Sequence, residues 1–336
     1  MQVSDDSEFY SGRRVLVTGG FGFLGLNLIT HLVGHRAVVR VLGHAGPSVA
    51  SLGTGLLEGV DCIEGDIRDT DAVRQALDGC EVVFNFAGRA GAIASNSSPF
   101  EDLDTNVRGQ LTFLQACSEV TTPLKVVFPS SRLVYKPTTD LPVNESAATG
   151  PLSIYGVHKL AAENYHMLYD RRGRIDAVVL RISNPYGPFQ RSEQNRYGIV
   201  NWFIHRAVNG LDLPVYGQGT QIRDYVHVDD VINAFLLAGA RPEANGMTFN
   251  IGSGRGVSFH HMAELVIQAA GIGSVRFLDW PPDAAGVETG DFVADISLVE
   301  RVLGWRPRVT LDQGVEHVVA QYRASDQATS TRTPSD

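Results

Sequence analysis

Short apolar runs alternate with amphipathic stretches along the first half of the chain. Arg13 to Thr18 (RRVLVT) is a β-branched run that ends in glycines. Behind it Phe23, Leu24, Leu28, Ile29 and Leu32 recur at the spacing of one helix face. Further strand-like runs cover 37–42, 60–63, 82–86, 124–128 and 177–182, with helical patterns at 71–77 and 107–117 between them. Strands that are apolar on both sides and alternate with helices predict a doubly wound α/β fold, a parallel sheet covered on both faces. The rhythm breaks after Asn184, where Gly, Pro, Asn and aromatic residues gather, and 253–323 mixes helices with loops. The division expected is a first domain over 1–182, completed by returning segments around 221–252. A smaller, mainly ligand-covering α/β domain takes 183–323. Residues 324–336, almost all polar or small, are expected to be a disordered tail.

Composition narrows the class of partner. The chain has 336 residues, 43% of them apolar, enough for a substantial core. A formal charge of −9 argues against nucleic-acid or anionic-membrane partners. No apolar run is long enough to span a bilayer, and the acidic start is unlike a secretory leader, so a cytoplasmic location is expected. Cys62, Cys80 and Cys117 lack metal-type spacing and read as idle thiols; no metal is expected.

The first candidate chemistry is Gly19-Gly-Phe-Gly22-Phe-Leu-Gly25, between a strand and a helix. A glycine turn there lets helix N-terminal amides meet a pyrophosphate. Asp66, after the third run, could accept from an adenine amino group or simply cap a helix. At the end of the second strand a carboxylate would hold the ribose of NAD and an Arg the 2′-phosphate of NADP. Gly43-His44 supplies neither, and a histidine that is neutral for much of its time near pH 7 attracts a phosphate only weakly. That favours shallow discrimination and leaves NADP open.

The second is Tyr155-Gly-Val-His-Lys159. Residues four apart share one face of a helix. A free tyrosine, with a pKa of about 10, is a poor base. An ammonium about 5 Å away at an effective dielectric near 20 favours the phenolate by roughly 3 kcal/mol, about two pKa units. A positively charged nicotinamide adds to that. Ser131 would reach the same point from the C-terminal end of the fifth strand, the edge where open α/β sheets bind ligands.

Together with Gly65-Asp66-Ile67, Phe86-Ala-Gly88, Asn106-Val-x-Gly109, Ser130-Ser131, Asn184-Pro-Tyr-Gly187 and Arg223-Asp-Tyr-Val-His-Val228, these strings resemble the extended short-chain dehydrogenase/reductases of the nucleotide-sugar branch, from about Arg13 to Tyr322. The resemblance implies a Rossmann-type fold, with Phe23 and Leu24 at the pyrophosphate and Asp66 and Ile67 at the adenine. Phe86, Ala87, Gly88 and Asn106 would line the cofactor. Ser131, Tyr155 and Lys159 would be catalytic, with Lys159 also on the nicotinamide ribose. Asn184, Tyr216 and Arg223 would hold a nucleotide-diphosphate sugar. It implies a C2 homodimer through 101–118 and 153–169, with Leu103, Leu111, Leu114, Leu160 and Ala161 among the facing positions.

Dehydratases of this branch carry Asp-Glu directly after the Ser/Thr, and decarboxylases keep a Glu two residues after it. Here Arg132 and Leu133 stand there. Epimerisation at C4 with tightly held NAD is therefore the expected reaction, and Phe86-Ala-Gly88 resembles the UDP-galactose 4-epimerase form. A ketoreductase or dehydrogenase using NAD(P) is the alternative; a dehydratase or decarboxylase, and then a non-catalytic cofactor-binding protein, rank below it. Two departures stand out. Lys136 replaces the usual Gly, and no Lys or Arg lies between Arg276 and Arg301, where relatives hold the diphosphate. Arg223 would then carry that role, with Arg191 or Arg196 as other candidate cations.

Overall fold

The computed structural model describes residues 7–44, 55–122, 124–190 and 198–330. Arg191 and Arg196 lie outside them. Seven parallel strands form the main sheet, in the order β10-β6-β5-β4-β1-β2-β3. They are β1 (Arg14–Thr18), β2 (Val38–Gly43), β3 (Asp61–Glu64), β4 (Val82–Asn85), β5 (Lys125–Ser131), β6 (Asp176–Ile182) and β10 (Met247–Ile251). Six match the apolar runs to within a few residues. The seventh, β10, pairs with β6 from Met247↔Val178 to Ile251↔Ile182. Its distant position in the sequence hid it.

Alternation along these strands divides the core into two layers. Val15, Val17 and Phe84 pack with Leu28, Ile29, Leu32 and Phe235 on one face. Leu16 and Val83 pack with Val73, Leu77, Phe113 and Leu114 on the other. Both layers are needed because a parallel sheet exposes two apolar faces. Val299, Leu303 and Trp305 join the first layer, so the late segment also covers the sheet.

A second unit has its own core of Tyr186, Phe203, Val215, Tyr225, Met262, Val315 and Val319. Its strands are short: β7 (Asn184–Tyr186), β8 (Leu213–Tyr216), β9 (Ile222–His227), β11 (Gly256–Ser258) and β12 (Val275–Leu278). They form the sheets β11-β9-β7 and β12-β8. The final helix, Leu311–Ser330, runs on through Ala324, where the composition suggests a disordered tail to begin. The rest of that expected tail, 331–336, lies outside the described residues. Among the described residues no helix is long and apolar enough to cross a membrane.

Candidate active site

Strand order reverses between β1 and its neighbours β2 and β4, and the glycine turn leaves β1 there. Gly19 has φ of 64°, and a Cβ on it would lie 2.8 Å from backbone atoms of Phe86 and Ala87. A Cβ on Gly25 would meet the Gly20 backbone at 2.5 Å. The helix Phe23–Gly34 begins at Gly22 with no side-chain cap and no acidic residue in its first turn. Its orphan amides and partial positive charge suit a pyrophosphate, so the residues present fit a dinucleotide.

At the adenosine end tertiary pairing supplies what the sequence lacks. Gly43 is the register partner of Glu64. The His44 imidazole lies 3.2 Å from the Glu64 carboxylate and 3.3 Å from that of Asp66. These hydrogen bonds, Asp66's first, raise the His44 pKa. Two acids thus stand beside the gap at Gly43. Asp66 accepts from the Arg68 side chain at 2.8 and 2.7 Å, which holds its carboxyl well below the usual range. Its capping role is also corrected: Asp69 caps the helix Thr70–Leu77, accepting from the Asp71 and Ala72 amides. Ile67 is buried in the second core layer.

Phe86 packs edge-on against Phe235, with centroids 4.6 Å apart. The Ala87 amide donates to the Thr18 hydroxyl at 3.1 Å, and its carbonyl accepts from Gln110 at 2.8 Å. Asn106 is buried, and both ends of its amide bond the Arg89 backbone, at 2.9 and 3.0 Å. It clamps the 86–89 loop. Gly88 must be small because its Cβ would sit 2.8 Å from Asn106 Oδ1.

Ser131 ends β5, and its hydroxyl accepts from the Leu133 amide at 3.2 Å. Tyr155 lies in the first turn of the helix Ile154–Arg171, which Ser153 caps. Ser95 and Asn96 fix that turn by accepting from the Tyr155 and Ile154 amides at 2.9 and 3.0 Å. Lys159 donates to the Pro129 carbonyl at 2.8 Å, and its Nζ is 5.9 Å from the Tyr155 ring centre. The predicted lowering of the Tyr155 pKa is not met by the protein alone. Burial, and then the charge of Asp102, raise it, while a hydrogen bond with Ser131 pulls it back. Burial also lowers Lys159 to about 8. Desolvation, the largest effect on each, disfavours both charged forms.

Asp102, which the sequence reading missed, bonds His158 Nδ1 at 2.6 Å and accepts from Asn106 at 3.0 Å. It belongs to the same buried polar group, but nothing local in the sequence distinguishes it from a helix-surface acid.

In the second unit Asn184 donates to the Asp224 carbonyl at 2.8 Å. Arg223 is buried and ion-paired with Glu288; its Nη1 donates to the Ile222 and Gly290 carbonyls at 2.9 and 2.8 Å. Tyr216 stands 5.5 Å from Trp280, a residue the sequence reading did not select. An aromatic pair of this kind suits a planar base.

A model of the NAD-dependent epimerase/dehydratase family matches residues 15–252. A putative UDP-glucose 4-epimerase of Methanocaldococcus jannaschii is 31% identical, covering 91% of this chain and 97% of its own. A dTDP-glucose 4,6-dehydratase of an Actinoplanes species is 29% identical, covering 93% and 98%. The crystal structure of the Thermus thermophilus UDP-glucose 4-epimerase in complex with NAD has a TM-score of 0.82 at 29% identity, covering 93% and 99%. The glycine cradle, the strand-order reversal and this whole-length likeness agree: the chain belongs to the NAD-dependent epimerase/dehydratase family.

Proposed function

We propose that this protein is a nucleotide-sugar 4-epimerase in which Tyr155 is the acid and base. The observation that carries the reading is the make-up of the turn after Ser131. Its two positions hold Arg132, a cation that keeps its proton at neutral pH, and Leu133, which has none to move. With Tyr155 the proton-transfer group here, elimination of water lacks the extra acid and base it needs. The relative in Methanocaldococcus is named for the epimerase activity and the Actinoplanes one for dehydration, and the make-up of the turn favours the first.

NAD held on the glycine cradle, by Gly19, Gly22 and Gly25, would supply the reversible hydride transfer at the sugar carbon that inversion needs. Ser131 holds the sugar hydroxyl, and Tyr155 takes its proton and later gives it back. Lys159 binds the nicotinamide ribose and, while charged, favours the phenolate. Burial and the Asp102 charge hold the Tyr155 pKa high, and the positive charge of an oxidised nicotinamide, when bound, would lower it towards the working range of a general base. Asn184 holds the sugar-proximal part of the substrate, Arg223 the diphosphate and Tyr216 the base.

The test is to incubate the NAD-loaded protein with UDP-glucose, dTDP-glucose and their 4-epimers and analyse products by NMR and mass. Interconversion at unchanged mass, without net reduced nicotinamide, supports epimerisation. Loss of one water points to dehydration, and stoichiometric reduced cofactor to a ketoreductase or dehydrogenase.

A further inference from the structure

Beside Arg223 stands a cation that the sequence motifs do not assign. Arg132 follows Ser131 on the short 3-10 turn Arg132–Val134. Its Nε donates to Asn184 Oδ1 at 3.4 Å and its Nη1 to the Thr289 hydroxyl at 2.8 Å. The guanidinium lies 5.5 Å from the centre of the Phe292 ring. Among the described residues it makes no ion pair with a carboxylate, and its Nη2 has no hydrogen-bond acceptor.

The loop 288–290 joins it to Arg223. Glu288 pairs with Arg223, Thr289 accepts from Arg132, and Gly290 accepts from Arg223. The two guanidiniums are close enough for Arg223 to weaken the hold of Arg132 on its proton, second only to burial; the result is about 9, so it stays charged at neutral pH. Arg223 is buried and Arg132 half-buried; Glu288 pairs with Arg223, and Glu288 and Asp224 act on Arg132 only through space, which leaves its guanidinium with unused donors. A guanidinium fork matches phosphate oxygens. The segment between Arg276 and Arg301 meanwhile contains no Lys or Arg, and Glu288 partly neutralises Arg223.

Building on the nucleotide-sugar reading, we propose that Arg132 is the second diphosphate-binding cation of this site, supplied from the strand end that carries Ser131. The same rigid turn then fixes both the diphosphate and the hydroxyl that meets the reacting sugar carbon.

The test uses calorimetry on the NAD-loaded protein with UDP, UMP, dTDP, dTMP and UDP-glucose. Wild type should prefer the diphosphate over the monophosphate by at least about tenfold, the scale of a charge-assisted contact. Arg132→Ala should lose about tenfold to a hundredfold in diphosphate affinity, with monophosphate affinity changed by less than about threefold. Arg132→Lys, which keeps the charge without the fork, should fall between them and serves if the alanine variant does not fold. Equal weakening of diphosphate and monophosphate, or no weakening of either, overturns the proposal. Weakening confined to UDP-glucose also overturns it and places Arg132 on the sugar. If wild type binds none of these nucleotides, the nucleotide-sugar reading itself falls.

Discussion

Replacing Gly43 by Asp should sharpen discrimination between NAD and NADP without harming the fold. Gly43 is the last residue of β2, and a Cβ there would lie 3.5 Å from the Phe21 ring and 3.6 Å from Gly19 Cα, ordinary contact distances. The backbone therefore accepts a side chain. A carboxylate at this strand end meets the adenosine ribose of a dinucleotide on the cradle. Accepting from the 2′-hydroxyl of NAD would add about 1.5–3 kcal/mol, the range for a hydrogen bond to a charged group. Facing a 2′-phosphate at about 5 Å, it would cost roughly 3 kcal/mol for each unit of phosphate charge at an effective dielectric near 20. The strand end is half-exposed, so solvent screening cuts this to about 1.5–3 kcal/mol. Glu64 and Asp66 already put negative charge nearby, where both contact the His44 imidazole. The two effects add to about 3–6 kcal/mol, a gain of about a hundredfold to ten-thousandfold in preference for NAD. Titration of cofactor-free wild type and variant with both dinucleotides measures it. An unchanged ratio of the two affinities would mean that Gly43 does not face the ribose. A wild-type preference for NADP of about a hundredfold would favour the ketoreductase alternative instead.

Tyr155→Phe should cut turnover by roughly 10²-fold or more while NAD binding stays within a few-fold, by single-turnover kinetics and calorimetry; near-normal turnover would sink the acid–base assignment. The exposed apolar residues Phe100, Leu103 and Val157 lie on or beside the two segments proposed to pair in a dimer, whereas Leu114 is core and drops out of that set. Sedimentation should show a dimer at micromolar concentration and a shift to monomer in Phe100→Glu, and a wild-type monomer would refute the pairing. His166 is fully buried, donates from Nδ1 to the Ala162 carbonyl and accepts from Asn85 at Nε2, so it is held neutral with its pKa lowered to about 4. Between that value and the ordinary 6.5 the unfolded chain binds a proton that the folded one does not. Stability should therefore fall by about 2–3 kcal/mol as pH drops from about 6.5 to 4, by denaturant titration. His166→Gln should flatten that limb, and an equally steep limb in the variant would assign it to other groups.

Local pattern alone was enough for the six apolar strands, the glycine turn between strand and helix, and the one-turn spacing of Tyr155 and Lys159. Each depends on neighbours within a few residues, where periodicity and backbone stereochemistry leave little choice. It was not enough for β10, whose pairing with β6 joins distant segments, or for Glu64, which reaches Gly43 only through the register of β2 and β3. The electrostatics were also settled in three dimensions. The sign of the Tyr155 shift followed burial and Asp102 rather than the spacing to Lys159. Arg132 read along the chain as a missing acid. Once β5, β7 and the loop 288–290 met, it became a cation beside Arg223, because charges couple through space and not through sequence.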